Sequence, residues 1–378
     1  MSVDSFDLLI VGGGIVGAAC ALEAVQAGLT VCVCERGVVG GGATAAGMGH
    51  LVVMDDSEAQ FALTSRSLER WRELAAVLPD EGEYLACGTL WVAADEEEMA
   101  EVERKRDFYA ARRVSVEVLD EKQLADAEPG LRPGLAGGLL VPEDAVVYSP
   151  VVARFLLDRA IESGLELREG TTVATIHPRG VLLADGTAIA AERVVNATGS
   201  WAPELTPGIP VQRRKGHLVI TDRYPGYVSH QLIELGYLKN AHAVSSDSVA
   251  FNVQPRRTGQ VLIGSSRQFG VDDPVIETRM LQWMLGRAVE YMPGLAGLSV
   301  IRTWTGFRAA TPDSLPLIGP VEVDEGTLWL ATGHEGLGIT TSLGTAEILV
   351  DQLLGRAPNI PCAPYLPTRS VREELHHA

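Results

Sequence analysis

Three glycines near the start of the chain have the spacing of a phosphate-binding turn. Gly12, Gly14 and Gly17 follow an apolar run at 6–11, and a helix of small residues is expected over 18–27. Glycine at these places permits a tight turn, a close approach to a pyrophosphate and close packing of helix on strand. N–H groups at the start of the helix attract the phosphate charge. The spacing therefore predicts a dinucleotide-binding site.

An acidic residue follows at the place where such a site needs one. The second predicted strand, residues 29–34, ends at Glu35. A carboxylate here accepts hydrogen bonds from the ribose hydroxyls, which favours FAD or NAD over a nucleotide with a 2′-phosphate. Strand, turn, helix, strand and acid arrive in the order of a Rossmann βαβ unit.

Two further segments could contact a large flat ligand. Residues 40–50 are mostly glycine and alanine, whereas flexible linkers are usually polar, and His50 ends the segment beside the expected ligand. Residues 333–339 form a glycine-rich loop that enters a helix reaching residue 354, which predicts a second anion-directed helix start.

Composition excludes several classes of protein. The chain has 31 Lys and Arg against 49 Asp and Glu, a net charge of −18, which argues against nucleic acid and anionic membrane surfaces as partners. Its five cysteines include no CxxC pair and read as reduced thiols. The predicted fold begins within a few residues of the first, and no apolar run is long enough to span a membrane, so we expect a cytoplasmic protein.

The order of predicted elements indicates an α/β (α+β) fold with two domains, since 378 residues exceed the usual size of one core. We predict a discontinuous Rossmann-like nucleotide-binding domain formed by residues 1–80, 143–206 and 303–378. Residues 81–142 and 207–302 would form a mostly antiparallel β domain that binds the substrate. Strands at 216–221, 249–253 and 261–264 and a helix near 277–291 support the second domain.

Four separated segments resemble the D-amino-acid oxidase superfamily of FAD enzymes, near glycine oxidase and sarcosine oxidase. They are VGGGIVG with Glu35, the GGATAAGM loop, the ATGSW end of a strand, and GFRAATPDSLPLIGP with ATGHEGLGIT. Within this group, AAGMGHLVVMDDSEAQFALTSRS is most similar to the FAD-containing beta subunits of D-hydroxyproline dehydrogenases. The resemblance implies a glycine oxidase-like fold and oxidation of a small amino or imino acid.

The resemblance also implies roles for individual residues. Arg308 and His50 would be catalytic, and Arg308, Met48, His50 and His334 would bind the substrate, with Arg308 holding its carboxylate. The implied FAD-binding residues are Gly12, Gly13, Gly14, Ile15, Val16, Gly17, Glu35, Arg36, Ala43, Thr44, Ala46, Gly47, Met48, Val173, Ala197, Gly199, Trp201, Gly333, His334, Glu335, Gly336, Leu337, Gly338, Ile339 and Thr340. No metal ligand set is expected.

Two departures from relatives refine the expectation. Some relatives attach the flavin covalently through a histidine at the place of Thr44, so noncovalent FAD is expected here. Sarcosine oxidases carry a lysine over the flavin, and no equivalent is evident near 251–257, which favours a dehydrogenase.

Several alternatives stay open. One is a glycine or sarcosine type oxidase that produces hydrogen peroxide. Another is a flavoprotein subunit that works with an iron–sulfur protein and a second flavoprotein, or as a homo-oligomer. A hydroxy-acid or glycerol-phosphate dehydrogenase of the same fold would need extra basic residues for a phosphate, and none is evident near Arg308 in the sequence. NAD is disfavoured by the C-terminal glycine-rich loop.

Overall fold

The computed structural model of the chain describes residues 5–236 and 247–369. Its strands are β1 (Phe6–Val11), β2 (Val31–Glu35), β3 (His50–Leu51), β4 (Thr89–Ala93), β5 (Glu117–Asp120), β6 (Gly137–Val141), β7 (Ala145–Val146), β8 (Glu166–Glu169), β9 (Val173–His177), β10 (Gly180–Leu183), β11 (Ala188–Asn196), β12 (Gln212–Arg223), β13 (Gln231–Glu234), β14 (Ser248–Pro255), β15 (Gln260–Arg267), β16 (Val300–Ala310), β17 (Leu317–Val323) and β18 (Gly326–Thr332). Its α-helices are α1 (Ile15–Gln26), α2 (Ala43–Ala46), α3 (Glu58–Ala75), α4 (Glu96–Ala111), α5 (Glu121–Ala127), α6 (Ser149–Glu162), α7 (Ala202–Leu205), α8 (Thr278–Tyr291) and α9 (Gly338–Leu353).

The first sheet is the Rossmann-like part of the fold. Its main path runs β17-β18-β11-β1-β2-β8, and β10 and β9 extend it from β11. The pairs β18–β11, β11–β1, β1–β2 and β2–β8 are all parallel. Helix α1 packs against α6 and α9, and together they cover one face. Strands buried on both faces read as continuous apolar runs, which is why Phe6–Val11 was recognisable from sequence.

The second sheet is mostly antiparallel, as predicted. Its order is β16-β12-β15-β14-β13-β4-β6-β5, and among the described pairs only β4–β13 is parallel. Helix α8 packs against β14 and β15, and Phe251 stacks on Tyr291 of that helix with ring centroids 4.5 Å apart. This apolar contact fixes one face of the sheet, so the opposite face is available to line a cavity.

The division of the chain into the two predicted domains stays a prediction, but one boundary differs from the sheet topology. The predicted boundary at residue 303 falls inside β16, which pairs with β12 in the second sheet. Residues 311–316 follow this strand, and the chain then enters the first sheet at β17. Residues 1–4, 237–246 and 370–378 of the predicted ranges lie outside the described residues.

Local differences from the predicted elements are small. Helix α1 begins at Ile15 instead of Ala18, directly after the glycine turn. The small-residue segment at 40–50 contains one helical turn, α2, because its alanines lie between Gly42 and Gly47. Within the described ranges, no helix is both long and apolar enough to cross a membrane.

Candidate functional site

A cavity of about 740 Å³ lies where the two sheets meet. At the first sheet it is lined by the residues that follow the carboxyl ends of β1, β2, β11 and β18, among them Gly12, Arg36, Thr198 and His334. Ligands of open parallel sheets bind at this edge, where several strand ends converge. At the second sheet it is lined by β12, β14, β15 and β16. The same cavity therefore borders the carboxyl ends of the parallel strands on one side and the antiparallel sheet on the other.

The glycine turn is as tight as its sequence predicts. Gly12 has φ +111°, and a Cβ on it would lie 2.6 Å from the carbonyl oxygen of Ala197. A Cβ on Gly17 would lie 1.9 Å from the carbonyl oxygen of Gly12, so helix α1 can only pack here with glycine. The N–H of Ile15 donates to Thr44 Oγ1 at 3.0 Å, which ties the small-residue segment to the start of the helix.

Glu35 is held at the cavity edge by backbone donors. Its Oε2 accepts from the N–H of Gly13 at 2.8 Å and its Oε1 from that of Gly37 at 2.8 Å. Beside it, the Arg36 guanidinium lies 4.2 Å from the ring centroid of Trp201. Both carboxylate oxygens are thereby oriented, and the neighbouring guanidinium and indole line the cavity beside them.

The small-residue segment packs tightly against the second sheet. A Cβ on Gly306 of β16 would lie 2.3 Å from Ala46 Cβ, and a Cβ on Gly264 of β15 would lie 2.9 Å from Met48 Sδ. Gln254 Nε2 donates to the carbonyl oxygen of Met48 at 2.7 Å. Glycine in both strands therefore allows residues 43–48 to form a thin partition along the cavity.

His50 lies at the end of this partition, in the short β3–β7 pair. Burial lowers the pKa of His50 to about 4, and the charge of Arg308 acts in the same direction. Its Nε2 is buried without a hydrogen-bond partner among the described residues. At neutral pH this side chain is therefore an uncharged imidazole at the cavity wall.

The C-terminal glycine-rich loop is the floor of the same cavity. His334 Nε2 lies 3.0 Å from Thr345 Oγ1, and burial lowers the pKa of His334 to about 3. The N–H of Glu335 donates to the carbonyl oxygen of Ala309 at 2.8 Å, which joins the loop to β16. Helix α9 then begins at Gly338, and its first N–H groups and dipole favour negative charge nearby.

Arg308 lies on β16, next to the point where the C-terminal loop contacts the second sheet. Its Nη1 donates to the carbonyl oxygen of Ser266 at 2.9 Å, which fixes the guanidinium across β12 towards β15. Arg308 and Gly336 both line the cavity, and the Arg308 Nε lies 3.8 Å from where a Cβ on Gly336 would be. A planar guanidinium here can pair with a carboxylate through two parallel hydrogen bonds.

Most of the residues implied by the resemblance line this cavity. The four FAD-binding candidates that do not line it are Gly13, Gly17, Gly333 and Thr340. Gly13 and Gly17 form the turn itself, and Thr340 Oγ1 donates to the carbonyl oxygen of His50 at 2.8 Å. The substrate-site candidates Arg308, Met48, His50 and His334 all line the cavity.

Sequence reasoning missed several polar residues of the second sheet. Arg214, His217, Asn252 and Arg267 all line the cavity. Arg214 pairs in register with Arg308 across β12 and β16. The only available signal was the alternation of residues in β12, because the partner of each strand cannot be read from one sequence.

His217 connects helix α8 to the strand that supports Arg308. Its Nε2 accepts from the N–H of Glu277 at 3.1 Å, so Nδ1 carries the proton and faces Ser266 Oγ at 3.0 Å. Burial lowers the pKa of His217, and Lys215 acts in the same direction. The neutral ring therefore holds the Ser266 segment whose carbonyl oxygen binds Arg308.

The residues present fit FAD. The glycine turn and Glu35 suit a pyrophosphate and a ribose, and the partition at residues 43–48 leaves room for a flat ring. Buried polar atoms of cavity residues, including His50 Nε2, Trp91 Nε1 and Asn252 Oδ1, have no hydrogen-bond partner among the described residues. Unsatisfied buried groups are costly, so their concentration here indicates an occupant. No described cluster of His, Cys, Asp or Glu could hold a metal ion.

Comparison with known proteins identifies the family of the chain. The family model of DAO, described as FAD dependent oxidoreductase, matches residues 7–352. The chain is 28% identical over 380 residues to glycine oxidase from Pseudomonas putida, covering 96% of this chain and 98% of that protein.

Solved structures share the fold. Glycine oxidase from Geobacillus kaustophilus superposes with a TM-score of 0.86 at 27% identity, covering 97% of this chain and 99% of that one. L-proline dehydrogenase from P. horikoshii gives a TM-score of 0.84 at 24% identity over 96% of this chain and 97% of that one, which shows likeness of fold alone. The chain has a glycine oxidase-like fold and belongs to the DAO family of FAD-dependent oxidoreductases.

Proposed function

We propose that the protein oxidises the C–N bond of a small imino acid of the D-hydroxyproline or D-proline type, giving an imine, with noncovalently bound FAD as acceptor. The observation that carries this proposal is the position of Arg308. Its guanidinium lines the same cavity as the glycine turn and the C-terminal loop. A carboxylate bound there would place the neighbouring carbon within the part of the cavity that suits the flavin ring.

Different segments of the chain would bind different parts of FAD. The glycine turn and Glu35 would bind the pyrophosphate and ribose, and residues 43–48 with the loop at 333–339 would enclose the ring. When bound, FAD supplies the acceptor for the hydride that leaves the substrate carbon as the adjacent C–N bond becomes C=N. The start of α9 would stabilise negative charge that develops near it.

The electrostatics of the substrate side favour an uncharged amine. Arg214, Arg267 and Arg308 line this side of the cavity with Glu335, which gives an excess of positive charge among these four residues. Nearby positive charge lowers the pKa of an amine and so favours its neutral form. The nitrogen lone pair is then available, and no strong protein base is needed.

His50 and His334 suit a positioning role in this scheme. Burial keeps the pKa of both imidazoles far below neutral, so neither carries a charge at pH 7. A neutral imidazole can orient an amine or the flavin by one hydrogen bond. The assignment of His50 as catalytic and of Met48 and His334 as substrate-binding belongs to the proposal.

The acceptor after FAD separates two candidate functions. We favour a dehydrogenase, because none of the described residues that line the cavity is a lysine. The second candidate is an oxidase that forms hydrogen peroxide, favoured by the similarity over 96% of the chain to a protein named glycine oxidase. In the dehydrogenase reading, electrons would leave to an iron–sulfur protein and a second flavoprotein, or to a soluble acceptor, and the chain could also form a homo-oligomer.

A cytoplasmic location is part of the proposal. All five cysteines are free in the structure, and Cys20, Cys32 and Cys34 are buried. Burial raises the pKa of Cys87 to about 11, which makes this thiol unreactive. Unpaired cysteines are typical of a reducing compartment.

Anaerobic reduction of the bound flavin tests the proposal. The purified yellow protein is mixed without oxygen with cis-4-hydroxy-D-proline, D-proline, sarcosine or glycine, and the oxidised flavin band is followed before and after air is admitted. Bleaching by an imino acid with slow recovery in air supports the dehydrogenase. Rapid recovery with peroxide identifies the oxidase, and no bleaching by any of the four overturns the substrate class.

A further inference from the structure

An ion pair that sequence reasoning did not predict lies beside Arg308. Arg214 Nη1 donates to Glu335 Oε1 at 3.0 Å, joining β12 of the second sheet to the loop before α9. Only 15% of the Arg214 side chain and 10% of the Glu335 side chain are exposed. Both residues line the large cavity.

The pair leaves one donor and one acceptor unused. Arg214 Nε and Glu335 Oε2 are buried, and neither has a hydrogen-bond partner among the described residues. A well-formed arginine–carboxylate pair commonly uses two parallel hydrogen bonds, whereas this one uses a single bond. Unsatisfied buried polar groups lower the stability of a protein. A bound group that supplies an acceptor for Arg214 and a donor for Glu335 would therefore be favourable.

The backbone at Glu335 adds an independent observation. Glu335 has φ +49°, a left-handed conformation that is uncommon for a residue with a side chain. The N–H of Glu335 is fixed by the carbonyl oxygen of Ala309, the residue after Arg308. Strained positions of this kind concentrate at binding sites. The loop thus holds the carboxylate beside the strand that carries Arg308.

The register of the strands brings the pair next to the expected carboxylate site. Arg214 and Arg308 are directly opposed on β12 and β16, so their side chains lie on the same face. A small substrate whose carboxylate binds Arg308 would therefore lie on the same face of the sheet as Arg214.

We propose that Arg214 and Glu335 form a subsite for a hydroxyl group of the substrate, which rests on the proposed function and narrows its substrate class to hydroxylated imino acids. A hydroxyl accepts from Arg214 and donates to Glu335 with one oxygen atom.

Other groups match the pair less well. An ammonium group would be repelled by Arg214, and a second carboxylate would be repelled by Glu335. A methylene group would leave both polar atoms unsatisfied. A site built to bind a hydroxyl discriminates against the analogue that lacks it, because its own polar groups are then left unpaired.

The test compares substrates that differ only in the hydroxyl group. The holoenzyme and its Arg214→Met and Glu335→Gln variants are mixed anaerobically with cis-4-hydroxy-D-proline or D-proline, and the reduction rate and dissociation constant are measured by stopped flow. We expect the wild-type protein to prefer the hydroxylated substrate by about tenfold or more in the ratio of rate to dissociation constant. Each variant should reduce this preference to about threefold or less, whatever its absolute rate.

A second measurement does not depend on turnover. Calorimetric titration with cis-3-hydroxycyclopentanecarboxylate and cyclopentanecarboxylate, which have no nitrogen to oxidise, reports the hydroxyl contribution to binding alone. Tighter binding of the hydroxylated acid by wild-type protein, lost in both variants, supports the subsite even if no imino acid reduces the flavin and the proposed function fails. Equal binding of the two acids, or a preference unchanged in both variants, overturns the subsite.

The absorbance spectrum of bound FAD tests the remaining possibility, which is that Arg214 and Glu335 contact the flavin and not the substrate. If the pair contacts the flavin instead of the substrate, Glu335→Gln shifts the absorbance maximum of bound FAD in the absence of any ligand and leaves the substrate preference intact. That result also overturns the proposal. Glu325→Gln is the matched control, since this glutamate lies on the exposed turn between β17 and β18.

Discussion

The Arg308 guanidinium crosses the strand β12 directly over Gly216. A Cβ on Gly216 would lie 2.7 Å from Arg308 Nη1 and 3.1 Å from the carbonyl oxygen of Ser266, to which Nη1 donates. Because residue 216 has no side chain, the guanidinium can pass over β12 at this point. The carboxylate-binding geometry that we propose depends on this crossing.

Gly216→Ala should displace the guanidinium without unfolding the protein. The added methyl group meets the far end of a flexible side chain, which can move away. Loss of a hydrogen bond to a charged group costs about 1.5–3 kcal/mol, so we expect the dissociation constant of the imino acid to rise at least about tenfold. Stopped-flow flavin reduction measures it.

Gly286→Ala is the control for this substitution. Gly286 lies in α8, and nothing is within 4 Å of where its Cβ would be. Alanine there should leave substrate binding unchanged and stabilise the helix by up to about 1 kcal/mol. If Gly216→Ala binds substrate as tightly as Gly286→Ala does, Arg308 does not need this crossing to bind its ligand.

Arg308→Lys and Arg308→Met should separate charge from geometry. Lysine keeps the positive charge but cannot reproduce the planar pair of hydrogen bonds, so binding should weaken by roughly 10-fold, whereas methionine should weaken it by roughly 100-fold or more. Both variants should keep the yellow colour, because the glycine turn and Glu35, which would hold the pyrophosphate and the ribose, are unchanged. Equal binding by all three proteins would remove Arg308 from the carboxylate site.

The sequence was most informative where the site is local in the chain. Gly12, Gly17 and Glu35 belong to one strand–turn–helix–strand unit, so their spacing alone predicted both the turn and the acid at its edge. The pairing of Arg214 with Arg308 depends instead on the register of β12 with β16, strands far apart in the chain. Alternation within a strand shows which residues share a face, but it does not identify the neighbouring strand.

The predicted boundary at residue 303 falls inside β16, which pairs with β12 in the second sheet. In the structure, β16 is an edge strand of the second sheet that reaches across to the floor through Ala309 and Glu335. β16 contacts elements of both sheets, and the amino-acid composition of such a strand does not show which sheet it pairs with.

Glu35→Gln should weaken FAD binding. Both carboxylate oxygens accept from backbone N–H groups, and glutamine would turn an NH₂ donor against one of them. The variant would also lose the charge that favours hydrogen bonds from ribose hydroxyls. We expect the dissociation constant for FAD to rise about tenfold, measured by fluorescence quenching of added flavin. Affinity equal to that of Glu325→Gln would mean that Glu35 does not contact the cofactor.

Acid precipitation should release all of the flavin into the supernatant. The resemblance places Thr44 where some relatives would attach the flavin through a histidine, and in the structure its Oγ1 accepts from the Ile15 N–H. A hydroxyl group used in this way anchors the partition and offers no nucleophilic nitrogen. A pellet that stays yellow, with flavin on a peptide by mass spectrometry, would contradict noncovalent attachment.

Protonation of His334 should make stability depend on pH. The ordinary histidine pKa is 6.5, and burial lowers the pKa of His334 to about 3 in the folded protein. Below pH 6.5 the unfolded chain binds a proton that the folded protein does not, so stability is present above this pH and is lost as the pH falls towards 3. At pH 5 the loss is about 2 kcal/mol from this residue.

His334→Gln isolates that contribution. Glutamine can still reach Thr345 Oγ1, which lies 3.0 Å from His334 Nε2, but it does not titrate. With FAD at saturation, the midpoint of thermal unfolding should fall between pH 7 and pH 5 by a few degrees less in the variant than in the wild-type protein, because 1 kcal/mol shifts the midpoint by about 2–4 °C in proteins of moderate size. His177→Gln, the same substitution at a half-exposed histidine, is the matched control. Parallel curves for all three proteins would mean that His334 takes up a proton in the folded state as readily as in the unfolded one.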